Sequence, residues 1–448
     1  MIAPARVAAF DILSAVSAGR ADLPAAIARS RTSLDDDRDK ALAAEIATGV
    51  ERWRAALDHV IEAAASRRVG RLDTEIVTIL RLSAYQLLHL TRVPAAAVVD
   101  DAVELARRAK KRSASGFVNA VLRSLSRKRT ALPLPARPAD TGAREAALDY
   151  LSITLSHPRW LVSRWYDRYG FAATERWLQF DNTHAKLTLR ANRLKNTAAD
   201  LAARLAVDDI QVSPGRFAPD ALIVDHGQPL GIRDRGLFVV QDEASQLVSL
   251  LVNAPPGARA LDCCASPGGK TTAIAAAMGD QGLMVACDVR GKRVKLLAQT
   301  VQDSGSHIVR IVQADAANPL PFSRTFDFVL LDAPCSGLGT LRRDPDIRWR
   351  RREEDLVVLA EAQRRMLDQA AACVAPGGRL VYATCSSEPE ENEDVAETFL
   401  ARDSAFALID ARTVPGVPES VVDARGYLRT LPHEHALEAF FGAVLERV

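Results

Sequence analysis

Several patterns that would assign a chain to a class at once are missing from this sequence of 448 residues. No apolar run approaches the roughly 20 residues that a membrane-spanning helix needs, so we expect no membrane association. Near the N-terminus, Asp11 interrupts the apolar residues, which recur at helical spacing and do not form a signal peptide. There is no internal repeat and no long low-complexity segment. These absences predict a soluble cytoplasmic protein.

Cysteines are few, and none lies before residue 263. The six are Cys263, Cys264, Cys287, Cys335, Cys373 and Cys385. No CxxC pair and no Cys/His cluster has zinc spacing, so we expect no bound metal. Cysteines distributed in this way do not form the disulfide framework of a small secreted protein, and free thiols suit a long cytosolic enzyme better.

The net charge is only +2, but it is distributed unevenly. Residues 1–130 carry about seven more Lys and Arg than Asp and Glu, and the excess peaks in Arg107–Arg112 and Arg123–Arg129. Such a run is either a solvated helix face or a surface that binds phosphate. The apolar content of 48% and the charged content of 25% are typical of globular domains.

The periodicity of apolar residues predicts four segments, and the chain is too long for one core. Residues 1–130 are predicted to be all-helical, because apolar residues recur there at intervals of three and four. Residues 131–144 are rich in proline and are predicted to be a linker. Residues 145–235 mix helix and strand in a small α+β subdomain. Residues 236–448 alternate strands with helices, which predicts an α/β fold with a parallel sheet covered on both faces.

Two cysteines occupy matching places in the last segment. The strands predicted there lie near 259–263, 283–288, 308–313, 326–332 and 379–384, and the helices near 269–279, 291–303 and 352–375. Cys335 follows the strand 326–332 and Cys385 follows the strand 379–384. Active-site groups in open α/β sheets come from the carboxyl ends of strands, so we expect both sulfurs in one site. A thiolate is a strong nucleophile, which predicts an enzyme that attaches a cysteine covalently to its substrate.

A glycine-containing loop joins the first of these strands to a helix, in the segment Ala260-Leu-Asp-Cys-Cys-Ala-Ser-Pro-Gly-Gly-Lys270. Three interpretations are open: a phosphate-binding loop of an ATPase, a structural turn without a ligand, and a Rossmann-like nucleotide cofactor site. The first glycine of a phosphate-binding loop is replaced by Cys264. Asp288 closes the next strand about twenty residues on, where a carboxylate can bind ribose hydroxyls, and this favours the cofactor site. Asp315, after the third strand, is placed to reach the cofactor's base.

Three motifs, taken in order, resemble the RNA cytosine-C5 methyltransferases. They are Asp262-x-Cys264-Ala-Ser-Pro-Gly-Gly-Lys270, then Asp332-Ala-Pro-Cys335-Ser-Gly, then Thr384-Cys385-Ser with Glu390-Glu-Asn-Glu393. The segment 236–246 is similar to the family's start of the catalytic domain, and 189–195 to its small preceding subdomain. Phe117-Val-Asn-Ala-Val-Leu-Arg123 closes a helical region like the NusB-type fold. One departure is His435-Ala-Leu-Glu-Ala-Phe440, where the family usually has His-Gly-Thr-Asp-Gly-Phe.

The resemblance implies a Rossmann-like methyltransferase domain that uses S-adenosylmethionine, preceded by a NusB-like helical domain and a small α+β subdomain. It also implies a cytoplasmic enzyme, monomeric, that forms 5-methylcytosine in RNA, with ribosomal RNA favoured by the NusB-like region. By the same resemblance, Cys385 is the nucleophile, Cys335 assists its release, and Asp332 binds the cytosine ring. The residues implied to contact the cofactor or frame its pocket are Cys264, Ala265, Ser266, Pro267, Gly268, Gly269, Lys270, Asp288, Arg293, Asp315 and Asp332.

The sequence is also compatible with other substrates and with a non-catalytic role. The same chemistry could serve transfer RNA, or the chain could be a non-catalytic RNA-binding assembly factor, although two cysteines in their motifs argue against the latter. The arginines of the basic run Leu341–Arg352 either bind phosphate or form a salt-bridge cluster at the start of a helix, and Trp349 either stacks on a base or simply packs. Cys287 and Cys373 are expected to be small buried hydrophobes.

Overall fold

The computed structural model describes residues 2–231 and 236–448 of the chain. These residues form two compact units. The first comprises Met1–Thr183 and Leu341–Glu353, and the second comprises His184–Thr340 and Glu354–Val448. Among the residues described, no helix has the length and apolar character needed to cross a membrane.

The first unit is helical, which confirms the helices predicted for residues 1–130. Its helices are α1 (Pro4–Ser17), α2 (Leu23–Arg31), α3 (Asp37–Arg52), α4 (Arg54–Ala65), α5 (Thr74–His89), α6 (Ala95–Arg108), α7 (Ser115–Lys128), α8 (Arg144–Asp149) and α9 (Arg159–Asp181). Pro4 opens α1, and the side chains of Asp22 and Asp36 cap α2 and α3 by accepting from backbone N–H groups. Apolar side chains of α1 to α7 share one core, which includes Ile46, Leu80 and Leu122.

The proline-rich segment after α7 contains neither helix nor strand over residues 131–142. It is nevertheless attached to the helical unit, because Leu132 and Leu134 pack against the same core and the carbonyl of Pro133 lies 2.8 Å from His59 Nε2. The division of the chain at residues 130, 144 and 235 stays a prediction.

The basic segment 341–353 belongs to the helical unit, where it contains the short helix α14 (Ile347–Arg350). Arg348 is fully buried, and its guanidinium donates to the carbonyls of Arg52 and Ser156. Trp349 donates its indole N–H to the carbonyl of Glu51 at 2.6 Å. The phosphate-binding hypothesis is therefore wrong for Arg348, because its guanidinium donates to carbonyls inside the unit. Trp349 also packs within the unit.

The second unit begins with a small antiparallel sheet. Its elements are β1 (Thr188–Ala191), α10 (Ala198–Val207), β2 (Gln211–Pro214), β3 (Ala221–His226) and β4 (Phe238–Val240). The strand order is β2-β3-β1-β4, and Leu189, Leu201 and Leu205 lie in its apolar core. The elements β1, α10, β2 and β3 agree with the mixture of helix and strand predicted within residues 145–235.

A larger sheet carries the rest of the second unit. Its elements are α11 (Glu243–Val252), β5 (Arg259–Asp262), α12 (Gly269–Ala277), β6 (Leu283–Asp288), α13 (Gly291–Ser304), β7 (Val309–Gln313), β8 (Phe326–Asp332), α15 (Asp355–Ala371), β9 (Val374–Thr384), α16 (Glu393–Arg402), β10 (Phe406–Ile409), β11 (Leu428–Thr430), α17 (Pro432–His435) and β12 (Phe440–Arg447). The order is β10-β12-β9-β8-β5-β6-β7, with β11 paired to β12.

Strands β5 to β9 run parallel, and β12 joins β9 antiparallel. Neighbouring residues of these strands enter different apolar clusters: Met284 belongs to one and Val285 to the other. Because side chains alternate along a strand, both faces of the sheet are covered, as the apolar strand runs predicted. The strand order reverses at β5, which lies between β6 and β8. Ligands of open α/β sheets bind at the carboxyl ends of strands beside such a reversal.

Candidate active site

The two predicted cysteines meet at this edge of the sheet. Strands β8 and β9 are hydrogen-bonded neighbours, with Asp332 opposite Ala383, so Cys335 and Cys385 leave the sheet side by side. Their sulfurs lie 3.1 Å apart. Gly339 closes the loop after Cys335 by donating its N–H to the carbonyl of Cys385 at 2.9 Å. A side chain at Gly339 would collide with the carbonyl of Ala439, so this approach needs glycine.

The surroundings of Cys335 hold the proton on its thiol. Its hydrogen bond to Cys385, its burial and the negative charge of Glu391 together raise the pKa of the Cys335 thiol well above the ordinary value. Cys335 therefore keeps its proton and can donate it towards the sulfur of Cys385.

The glycine loop turns from β5 into α12 as expected. Gly268 has φ +108°, in the left-handed region, and a Cβ there would lie 3.0 Å from the side chain of Leu297. The left-handed φ therefore favours glycine, and a Cβ would also crowd the side chain of Leu297. Asp262 fixes the loop at the end of β5. Its carboxylate accepts from the Thr271 hydroxyl at 2.7 Å and from the Cys264 N–H at 3.3 Å. Burial raises the pKa of Asp262 to about 7.

Asp288 stands at the end of β6 and is nearly fully buried. Its Oδ2 accepts from the N–H of Ser266 at 3.3 Å and from Arg293 Nε at 3.0 Å. Arg293 also donates to the carbonyl of Ser266 at 2.5 Å. Hydrogen bonds thus connect Asp288, Arg293 and the glycine loop on one side of the site. Asp315, beyond the end of β7, is engaged with its own turn through Ala317 and Asn318.

Lys270 and Asp332 link the glycine loop to β8, the strand that Cys335 follows. Lys270 Nζ donates to Asp332 Oδ2 at 2.7 Å. Burial opposes the lysine's charge, but Asp332 outweighs it by charge and hydrogen bond, so the pKa of Lys270 is raised and the side chain stays positive. Asp332 Oδ1 has no hydrogen-bond partner in the described part of the chain.

These residues surround a cavity of about 330 Å³. The predicted site residues that line it are Cys264, Ser266, Asp288, Arg293, Asp315, Asp332, Cys335 and Cys385. Ala265, Pro267, Gly268, Gly269 and Lys270 belong to the same loop and helix start but do not line this cavity. The site fits S-adenosylmethionine: glycine admits close backbone approach, Asp288 can accept from ribose hydroxyls, and the cavity reaches from there to both sulfurs.

Two residues that motif reading overlooked also position the loop. Arg190, in β1 of the small sheet, is buried; it donates to the carbonyl of Gly269 and, at 2.9 Å, to the hydroxyl of Thr272. Gln241 accepts from the same guanidinium at 2.6 Å. Their only sequence signal was membership of segments 189–195 and 236–246, which resemble family segments.

Cys287 and Cys373 do not line this cavity. Cys287 and Cys373 are buried, and burial raises the pKa of Cys287 to about 12 and that of Cys373 to about 11. Both thiols stay protonated, which agrees with the expectation that they are small buried hydrophobes.

The sheet order, the glycine loop and the acid at the end of β6 are those of a Rossmann-like methyltransferase, and S-adenosylmethionine is its methyl donor. Three family patterns match the chain: the 16S rRNA methyltransferase RsmB/F family over residues 249–446, the NusB family over 3–127, and the RsmF/B-like ferredoxin-like domain over 157–231. With the relatives described next, these matches show that the chain belongs to the 16S rRNA methyltransferase RsmB/F family.

Relatives extend over nearly the whole chain. The ribosomal RNA small subunit methyltransferase B of Pseudomonas syringae pv. tomato is 31% identical, covering 99% of this chain and 97% of its own. The protein of that name from Vibrio cholerae is 35% identical, covering 92% and 90%. The solved structure of PH0851 is 26% identical with a TM-score of 0.82, covering 100% and 99%. A methyltransferase homologue from Pyrococcus horikoshii is 25% identical with a TM-score of 0.58, covering 68% and 99%.

Proposed function

We propose that this protein methylates carbon 5 of a cytosine in 16S ribosomal RNA through a covalent cysteine adduct at carbon 6. The observation that carries the proposal is the pair of sulfurs 3.1 Å apart, beside Asp332, on the wall of the cofactor cavity. The names of the relatives support ribosomal RNA as the substrate. We infer that the enzyme acts in the cytoplasm as a monomer.

The loop 264–270 would hold the cofactor, Asp288 would accept hydrogen bonds from its ribose hydroxyls, and Arg293 would brace both the loop and Asp288. Asp315 faces the cavity from the end of β7. When bound, S-adenosylmethionine supplies the methyl group as an electrophile.

The protein's part in the chemistry begins at Cys385. Carbon 5 of cytosine is a weak nucleophile, and addition of the Cys385 sulfur to carbon 6 makes it enamine-like. As the sulfur adds, the ring nitrogen takes up a proton from solvent. Asp332 Oδ1, which Lys270 leaves available, accepts a hydrogen bond from that ring N–H and stabilises the protonated adduct. After transfer, the carbon-5 proton passes to a base such as water, the ring double bond re-forms, and the electron pair of the carbon–sulfur bond returns to Cys385.

Cys335 assists that return. Its thiol lies within reach of Cys385 and keeps its proton, so it can donate a hydrogen bond to the departing thiolate. Because carbon 6 is inaccessible in a stacked helix, the target base must lie in a loop or be turned out of the stack.

The test is bisulfite sequencing of total RNA from cells with and without the gene. We expect one cytosine of 16S ribosomal RNA to lose protection when the gene is removed. Loss of protection in transfer RNA alone would contradict the ribosomal substrate, and no change in any RNA would contradict cytosine-C5 methylation.

A further inference from the structure

Glu391 is a carboxylate buried behind the two cysteines, and the mechanism above does not use it. Its exposed fraction is 0%, and it belongs to the motif Glu390-Glu-Asn-Glu393, at the turn before α16. A buried carboxylate is costly unless its oxygens accept hydrogen bonds, so the donors around it indicate what it holds.

One oxygen of Glu391 holds the Cys335 side. Oε1 accepts from the N–H of Ser336, the residue after Cys335, at 2.8 Å. It also accepts from Gln363 Nε2 at 2.9 Å, and the same nitrogen donates to the carbonyl of Pro334, the residue before Cys335, at 3.0 Å. Both neighbours of Cys335 are thus tied to this carboxylate, one directly and one through Gln363.

The other oxygen holds the Cys385 side. Oε2 accepts from the hydroxyl of Ser386, the residue after Cys385, at 2.5 Å. The hydroxyls of Ser336 and Ser386 lie 3.2 Å apart, which closes a ring of hydrogen bonds between the two loops. The turn itself is fixed, since Tyr382 donates its hydroxyl to the carbonyl of Glu391 at 2.5 Å and Asn392 donates to the carbonyl of Ser386 at 3.0 Å.

We propose that Glu391 is a positioning residue for the methyl transfer: its carboxylate bridges the loops that follow Cys335 and Cys385 and sets the distance between the two sulfurs. The catalytic part of this inference rests on the proposed function. The bridging part concerns the two sulfurs alone and can be measured without RNA.

The first readout is the dithiol–disulfide equilibrium of the full-length protein. Purified protein is equilibrated with mixtures of reduced and oxidised glutathione, and the Cys335–Cys385 disulfide is counted by mass spectrometry after alkylation. Sulfurs held together oxidise more readily, so Glu391→Ala should need a mixture about tenfold more oxidising than the wild type. Glu391→Gln keeps an acceptor for Ser336 and a donor for Ser386, and should restore the midpoint to within about threefold.

The second readout is steady-state methylation. Glu391→Ala should lower kcat by about 10- to 100-fold, because displacing a reacting sulfur by about 1 Å can lower the rate by as much as about 100-fold. The KM for S-adenosylmethionine should stay within about twofold of the wild-type value. Asp394→Asn, which removes an exposed carboxylate from the first turn of α16, should change neither readout. Should Glu391→Ala fail to fold, Ser386→Ala removes the donor to Oε2 and should shift both readouts in the same direction by a smaller factor.

The two readouts distinguish the bridging role of Glu391 from the proposed methylation of cytosine. A midpoint and a kcat within twofold of wild type in folded Glu391→Ala would overturn the proposal. So would a Glu391→Gln protein as impaired as Glu391→Ala in the disulfide readout, since charge and not bridging would then matter. A wild type that methylates no cytosine, combined with a shifted midpoint in Glu391→Ala, would refute the proposed function and leave the bridging role standing.

Discussion

Lys270 Nζ lies 2.7 Å from Asp332 Oδ2, and this ion pair joins the start of α12 to the end of β8. The lysine thereby connects the glycine loop with the first residue of the motif Asp332-Ala-Pro-Cys335-Ser-Gly. It also leaves Asp332 Oδ1 as the oxygen available to a substrate. Both side chains are mostly buried, with 12% and 28% of their surface exposed, so the pair is less screened than a surface ion pair.

A double-mutant cycle measures this ion pair. Urea unfolding of the wild type, Lys270→Met, Asp332→Asn and the double variant should give a coupling free energy of about 1–2 kcal/mol. The control cycle uses Arg204 and Asp208, whose charged atoms lie 3.3 Å apart and whose side chains are both more than 40% exposed. Its coupling free energy should be less than about 0.5 kcal/mol. Equal coupling in both cycles would show that Lys270 and Asp332 are not held together in solution.

Cofactor binding tests the assignment of Asp288. Calorimetry should show micromolar binding of S-adenosylmethionine and of its demethylated product, and no binding of ATP. Asp288→Ala should weaken donor binding by roughly 1.5–3 kcal/mol, because charge-assisted hydrogen bonds to the ribose and to the loop are removed. Asp303→Ala, at the far end of α13, should bind as the wild type does. Tight binding of ATP without binding of the donor would remove the methyltransferase interpretation.

The basic excess of the helical unit predicts RNA docking by α6, α7 and the residues around them. Arg107 and Lys111 are engaged by Glu104, Asp73 and Glu75, so they are poor candidates for phosphate binding. Lys110, Arg112 and Arg127 are exposed and form no ion pair within the described ranges. Reversing these three charges should weaken RNA binding and reduce the slope of log affinity against log salt by about one for each phosphate that is no longer neutralised. An unchanged slope would show that this surface does not bind RNA.

Much of the fold follows from local patterns. The strand–helix alternation after residue 236 and the cysteines at two strand ends are visible because buried parallel strands are continuous apolar runs. Contacts between distant segments are not visible in this way. Arg190 contacts Gly269 from 79 residues away, and Arg348 contacts Arg52 from 296 residues away. An arginine in a basic run has the same letter whether it meets phosphate or buried carbonyls, so the phosphate hypothesis for 341–352 failed at Arg348.

The pH dependence of stability tests the environment of Asp262. Burial raises its pKa to about 7, whereas an unfolded aspartate titrates near about 3.9. The folded state therefore binds a proton that the unfolded chain has released, so this group's contribution is fully present below the unfolded pKa and is lost as pH rises towards the folded pKa. Asp262→Asn lacks this dependence. Its free energy of unfolding relative to wild type should rise by roughly 1–4 kcal/mol between about pH 4 and about pH 8. A constant difference would contradict the raised pKa, and Asp303→Asn is the control.

Two cysteines 3.1 Å apart with different roles should fail in different ways when removed. Without Cys385 no bond to carbon 6 can form, so Cys385→Ala should lose methylation and covalent RNA together. Without Cys335 the attack and the transfer can proceed, but the departing thiolate loses its hydrogen-bond donor. Cys335→Ala should therefore accumulate an RNA–protein adduct that survives denaturing gel electrophoresis.

The double variant decides the order of these events. Release matters only after attack, so Cys335→Ala combined with Cys385→Ala should form no adduct, whereas Cys373→Ala, which alters a buried thiol away from the pair, should behave as the wild type does. RNA carrying 5-fluorocytosine should trap the wild type, because fluorine cannot leave carbon 5 as a proton does. An adduct in Cys385→Ala and none in Cys335→Ala would exchange the two roles and keep the chemistry. Methylation intact in both single variants, with no adduct in any protein, would overturn the covalent mechanism, since neither sulfur would then be needed at carbon 6.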